Sequence, residues 1–166
     1  MEKKFLITAI DWSGSKKDPK NIYTLVSVEE KNYKKLKNYL IKTLDIKHWK
    51  KLTKLEKTRY TNKFLRKWNE IKTLIKYIDI SFDQNIIFNN APIFHQTKIL
   101  IIDNTIFNKN YTVLSKMDKI ILEGNVKEYY KPIILLSDNI SNIFRKLYNE
   151  TANKKKRYEL LKRFRK

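Results

Sequence analysis

Apolar residues recur along this chain in two rhythms, and the switches between them mark its elements. Residues 4–11 (KFLITAID) are a near-continuous apolar run closing on an acid, and residues 22–28 (IYTLVSV) alternate with β-branched residues. Both patterns predict strands, paired as a hairpin. The polar stretch from Trp12 to Asn21, with Gly14 and Pro19 as breakers, reads as the long loop between them. Glu29 and Glu30 open the next segment as acids suited to a helix N-terminus, and Tyr33, Leu36, Leu40 and Leu44 follow at helical spacing. That spacing predicts a helix over 30–44. A second helix is predicted over 53–71, with Thr53 as its cap and Phe64, Trp68, Ile71 and Ile75 on one stripe. Residues 73–82 alternate again and predict a strand.

The second half repeats the strand form twice. Asn85 to Gln96 reads as a connection around Pro92, after which 98–103 (KILIID) and 118–123 (DKIILE) are short apolar runs, each ending on an acid. Gly124-Asn125 supplies a turn. Residues 133–136 (IILL) form a further short apolar run that gives way, at Ser137-Asp138, to a helix with Ile140, Ile143, Phe144 and Leu147 on one face. From Asn153 onward the pattern is a basic amphipathic helix with Tyr158, Leu161 and Phe164 on its apolar side. The plan is α/β, a mixed central β-sheet flanked by α-helices. It divides into a domain over 1–150 and a basic C-terminal helix or tail over 151–166.

Composition sharpens this picture through charge. The 166 residues carry 37 Lys or Arg against 17 Asp or Glu, a net charge of +20. Residues 31–76 hold 16 bases against Asp45, Glu56 and Glu70, and residues 154–166 hold eight against Glu159. These two segments account for the whole excess, and the remainder is neutral. Such asymmetry points to a polyanion, nucleic acid (RNA or DNA) first and an anionic membrane surface second. At 42% hydrophobic residues the chain has enough apolar material for a core, so the charge does not signal disorder. The chain has no cysteine, which excludes disulfides, thiolate zinc sites and a Cys nucleophile. No apolar run approaches the roughly 20 residues of a membrane span. The expectation is a soluble, cytoplasmic domain.

Three apolar runs end on an acid, at Asp11, Asp103 and Glu123, and a fourth acid, Asp138, sits where a run turns into a helix. Ligands of open α/β sheets gather at the carboxyl ends of strands, so these acids are candidates to converge, although any one of them is equally an ordinary cap or turn residue. Converging carboxylates repel one another unless a cation neutralises them, and oxygen ligands without Cys suit Mg2+ or Mn2+. Two such ions about 3.5–4 Å apart hold the attacking and leaving oxygens in phosphodiester hydrolysis. Gly14 follows Asp11 closely and reads as a tight turn with positive φ. A second cluster, Asp45-Ile46-Lys47-His48-Trp49, offers a carboxylate to a metal and Lys47 or His48 to a phosphate. There is no nucleophile elbow for a Ser-His-Asp triad and no Gly-rich phosphate loop. In the basic segments, Lys34, Lys35, Lys47, Lys50, Lys51, Lys54, Arg59, Lys63, Lys154, Lys155, Arg157 and Arg163 are the candidates for contacts to a nucleic-acid backbone. Among the interleaved rings, Tyr33, Phe64 and Trp68 are expected in the core, which leaves Trp49 and Tyr60 for stacking on bases.

The order of these motifs resembles a family, the uncharacterised branch of the ribonuclease H-like superfamily whose members open with an Asp-x-Ser-Gly strand end. Asp11-Trp12-Ser13-Gly14 resembles its first motif, Asp45-Ile46-Lys47-His48-Trp49 its second, and Ile101-Ile102-Asp103 its third. Ile134-Leu135-Leu136-Ser137-Asp138-Asn139-Ile140 is similar to the last. The chain departs from the pattern at Trp12 and Asp45, where the family has Glu, and at Ser137, where it has Ala. The third acid is left between Asp103 and Glu123. The resemblance implies a ribonuclease H-like mixed sheet and a metal-dependent nuclease that hydrolyses phosphodiesters with two Mg2+ or Mn2+ ions. Asp11 would bridge the ions, Asp103 and Asp138 would each hold one, Asp45 would join the catalytic set, and Lys47 would touch a phosphate or the leaving group. A homodimer is open, since resolvase-like members often act as dimers. The alternative is a catalytically silent nucleic-acid-binding protein on the same fold.

Overall fold

The strand-forming runs of this chain do join one sheet. The structure, a computed structural model, describes residues 5–15, 18–83, 85, 91–115, 117 and 119–166. Strands β1 (Leu6–Ser15) and β2 (Asp18–Glu29) form an antiparallel pair, and β3 (Tyr77–Ser81) adds antiparallel to β2. On the other side β4 (Thr97–Ile102) pairs parallel with β1, and β5 (Ile120–Leu122) parallel with β4. The mixed five-stranded sheet therefore runs β3-β2-β1-β4-β5.

Helices cover both faces. One face carries α1 (Glu30–Tyr39), whose end widens into a π-turn over Leu40–Leu44, together with α2 (Lys54–Leu74). The long α6 (Lys131–Glu150) and α7 (Lys154–Phe164) complete that layer. Tyr33, Leu36, Phe64, Trp68, Ile140, Phe144 and Phe164 pack there against Ile7, Ala9, Val26 and Ile101 of the sheet. The opposite face is thinner, with Leu6, Ile10, Leu25, Leu100 and Ile102 under three short helices, α3 (Ala91–Gln96), α4 (Asn104–Lys109) and α5 (Tyr111–Leu114). Alternation of inward positions along each strand produces the two layers. Among the described residues no helix is long and apolar enough to cross a membrane.

Several expectations change. The polar stretch after Asp11 is not a long loop, because β1 runs on to Ser15 and β2 begins at Asp18. Pro19 is tolerated there because β3 pairs only with Tyr23 to Ser27 of β2, so the missing N–H interrupts no ladder to β3. Gly14 has no positive φ. Its smallness is steric, since a Cβ would stand 2.1 Å from Asn21 Oδ1 and 2.7 Å from the Trp12 ring. The run at 133–136 is not a separate element but the first turns of α6, which starts with Pro132 in its first turn, where a missing N–H costs nothing. Leu74, expected in a strand, ends α2 instead. The short helices α3, α4 and α5 were not foreseen. Part of the 85–96 connection and Asp118 lie outside the described residues. Phe164 of α7 is fully buried, stacked on Trp68 at 5.0 Å between centroids, while Tyr158 faces outward.

Candidate metal centre

The register of the parallel strands brings the acids together. Ile10 of β1 pairs with Ile102 of β4, and Ile102 with Leu122 of β5. The residue after each of these three is an acid: Asp11, Asp103 and Glu123. Period-two alternation sets them on the side of Ala9, Ile101 and Ile121, under α6. One carboxylate oxygen from each lies within 4.8 Å of the others. Both candidates for the third acid, Asp103 and Glu123, therefore join Asp11.

Each acid is held differently. Asp11 is 6% exposed, and its Oδ1 accepts the Trp12 backbone N–H at 2.7 Å. Asp103 caps α4, its Oδ1 accepting from the N–H groups of Thr105 and Ile106 at 2.8 and 3.2 Å. Glu123 opens a 3-10 turn over Glu123–Asn125, its backbone carbonyl accepting the Val126 N–H at 3.3 Å, while its carboxylate accepts no hydrogen bond from the described residues. Burial, followed by the charges of Asp138 and Glu123, pushes the Asp11 carboxyl well above the usual carboxylate range. Glu123 is raised by burial and by Asp103, while His48 and Lys50 pull the other way. Like charges held this close out of water favour either a proton or a cation. The donors are all carboxylate oxygens, and the triad can hold a metal ion.

Asp138 stands on α6 beside this triad without belonging to it. Its charge raises Asp11 and Glu123, yet its own oxygens are engaged. Oδ2 accepts the Trp49 backbone N–H at 3.0 Å, and Oδ1 accepts Asn142 Nδ2 at 2.8 Å. Burial raises its pKa, and the Trp49 N–H opposes the rise. Asp45 is not one of the clustered acids, and Lys47 stands beside it. They are exposed and pair with each other at 3.2 Å. Asp45 has φ 54° and closes the π-turn after α1, a left-handed position that Asp tolerates better than most residues. His48 and Lys50 are instead the basic residues of this segment whose charges bear on the acids.

Trp49 and Tyr60, expected to be free for stacking, are buried at 9% and 8% exposure in the same core as Phe64. Lys34, Lys35, Lys51, Lys54, Arg59 and Lys63 form no ion pair with the described residues, and neither does Lys50, whose charge bears on Glu123 and Asp138. Lys154, Lys155 and Arg163 are exposed on α7. Arg157 is committed inward, its guanidinium 4.4 Å from the Tyr148 ring centroid. Asn139 and Asn142 were missed from the sequence. The spacing of Asp138 and Asn142, four apart on one helix, was the available signal. A groove of about 620 Å3 between α1 and α2 shares no residue with the carboxylates. No protein-family model matches the chain, and no curated protein does.

Proposed function

We propose that the chain is a metal-dependent nuclease of ribonuclease H-like type, hydrolysing phosphodiester bonds in RNA or DNA. The observation that carries this reading is the row of Asp11, Asp103 and Glu123 at the ends of adjacent parallel pairings, on a protein of net charge +20. A passive binder of a polyanion has no use for three converging carboxylates, which repel the ligand. Mg2+ or Mn2+ ions at the triad would supply Lewis acidity to the phosphoryl group and to the attacking water. Asp11, the most enclosed of the three, gives the centre its fixed point, and Asp103 is oriented by the α4 amides it caps. The unpaired bases of α1, α2 and the 47–51 segment hold the sugar-phosphate backbone, which positions a substrate without reading its sequence.

The test is cleavage of single-stranded and duplex RNA and DNA, a hybrid and a four-way junction with Mn2+ or Mg2+. Cleavage is expected, and it is lost with EDTA and in Asp11→Asn. Salt-sensitive binding without cleavage, unchanged in Asp11→Asn, would leave a silent nucleic-acid-binding protein.

A further inference from the structure

Residues 46–51 form a strap that crosses from the end of α1 to the start of α2 and is fastened to α6 at adjacent points. The Trp49 N–H donates to Asp138 Oδ2 at 3.0 Å, and Asn139 Nδ2 donates to the Lys47 carbonyl at 2.8 Å. His48 Nδ1, which accepts the Lys50 N–H, lies 3.5 Å from the same Asp138 oxygen. The other Asp138 oxygen takes Asn142 Nδ2, and Asn142 Oδ1 accepts from Ser13 Oγ on β1 at 2.8 Å. Asp138 thus links the strap, α6 and the strand that carries Asp11. Its carboxylate is the partner of a buried N–H that has no other acceptor among the described residues, and such a donor is costly to leave unpaired.

We propose that Asp138 is a positioning residue rather than a metal ligand: it is the catch that holds the 46–51 strap on α6 and keeps His48 and Lys50 beside the Asp11–Asp103–Glu123 centre. The inference rests on the metal-centre reading for what the strap faces, while the catch itself stands on its hydrogen bonds. Lys50, tied into the strap by its N–H to His48 Nδ1, is then the cation presented to an anion bound at the centre, while Lys47 pairs with Asp45 in solvent. The strap's hydrogen bonds to α6 are the two from Trp49 to Asp138 and from Asn139 to Lys47, among the described residues.

The experiment pairs Mn2+ titration of the full chain with hydrogen exchange at the Trp49 amide. Asp11→Asn abolishes Mn2+ binding. Asp138→Asn keeps an acceptor for the Trp49 N–H, its amide oxygen standing in for Oδ2 while Asn142 turns to accept from its Nδ2, so that amide stays protected and Mn2+ affinity stays within about threefold, since a catch needs an acceptor and not a charge. Asp138→Ala still binds Mn2+, but its Trp49 amide exchanges at least about tenfold faster as the strap opens. Lys50→Ala removes a like charge near the ion and tightens Mn2+ binding about two- to threefold. That gain vanishes in the Lys50→Ala, Asp138→Ala double variant, which a merely structural role for Asp138 would not produce. Loss of Mn2+ binding in Asp138→Asn as complete as in Asp11→Asn would overturn the proposal, as would an unchanged Trp49 amide in Asp138→Ala. If the unaltered chain binds no Mn2+, the metal-centre reading fails, while fast Trp49 exchange in Asp138→Ala still upholds the catch.

Discussion

Asp11 is a buried acid among acids, and its titration has a definite sign. Burial and the neighbouring carboxylates raise its pKa above that of the unfolded chain. Between the two values the folded chain keeps a proton that the unfolded chain has lost, so stability falls as pH rises through that window. Glu123 and Asp138 are raised as well and act in the same direction. With EDTA present, the melting temperature should therefore be higher near about pH 5 than near about pH 7.5. Mn2+ should restore it at the higher pH, because an ion bound only by the folded state adds stability. Asp11→Asn removes the buried charge, so it should melt a few degrees above the unaltered protein at neutral pH without metal, ~1 kcal/mol being about 2–4 °C in a domain of this size. It should also gain nothing from Mn2+. A lower melting temperature for Asp11→Asn would mean that the carboxylate is stabilised in some other way.

At the scale of elements, α2 shows how local signals survive into the fold. Thr53 Oγ1 accepts the Glu56 N–H and the Glu56 carboxylate accepts the Thr53 N–H, a capping box that fixes where the helix starts. Thr53→Ala should cost about 1 kcal/mol in urea unfolding, with the m-value unchanged. This start was legible because the cap and the Phe64, Trp68, Ile71 stripe agree on one helix. The start of α6 was not legible, because four consecutive apolar residues at 133–136 fit a buried strand as well as a buried helix. Tyr60 stands one turn before Phe64 on the α2 stripe, a signal the sequence did offer, whereas Trp49 lies between the helices and is placed by the strap's fastening to α6. Asp45 shows the limit of motif reading, since a residue type suited to metal is placed by its left-handed backbone and paired with Lys47 in solvent. The convergence of Asp11 with Asp103 and Glu123 was foreshadowed by three similar runs ending on acids. Their common level was not, because it depends on parallel register between strands far apart in the chain.

Over the whole molecule, the charge excess and the acids share one layer. The segments that carry the +20 are those of α1, α2 and α7, which cover the same sheet face as the triad, and the three short helices cover the other. Binding to nucleic acid should therefore weaken steeply with salt. Replacing Lys54, Arg59 and Lys63 together by Ala should lower the log-log salt slope by up to about 3, one for each phosphate no longer neutralised, whereas Asp11→Asn should leave that slope unaltered. An unaltered slope in the triple variant would move the nucleic acid off α2. The metal centre is located by anomalous scattering from a crystal grown with Mn2+. Manganese is expected between Asp11, Asp103 and Glu123, within about 2–2.3 Å of their oxygens, a distance range suited to small hard cations. Manganese bound away from Asp11, or none at the triad at saturating concentration, would contradict it.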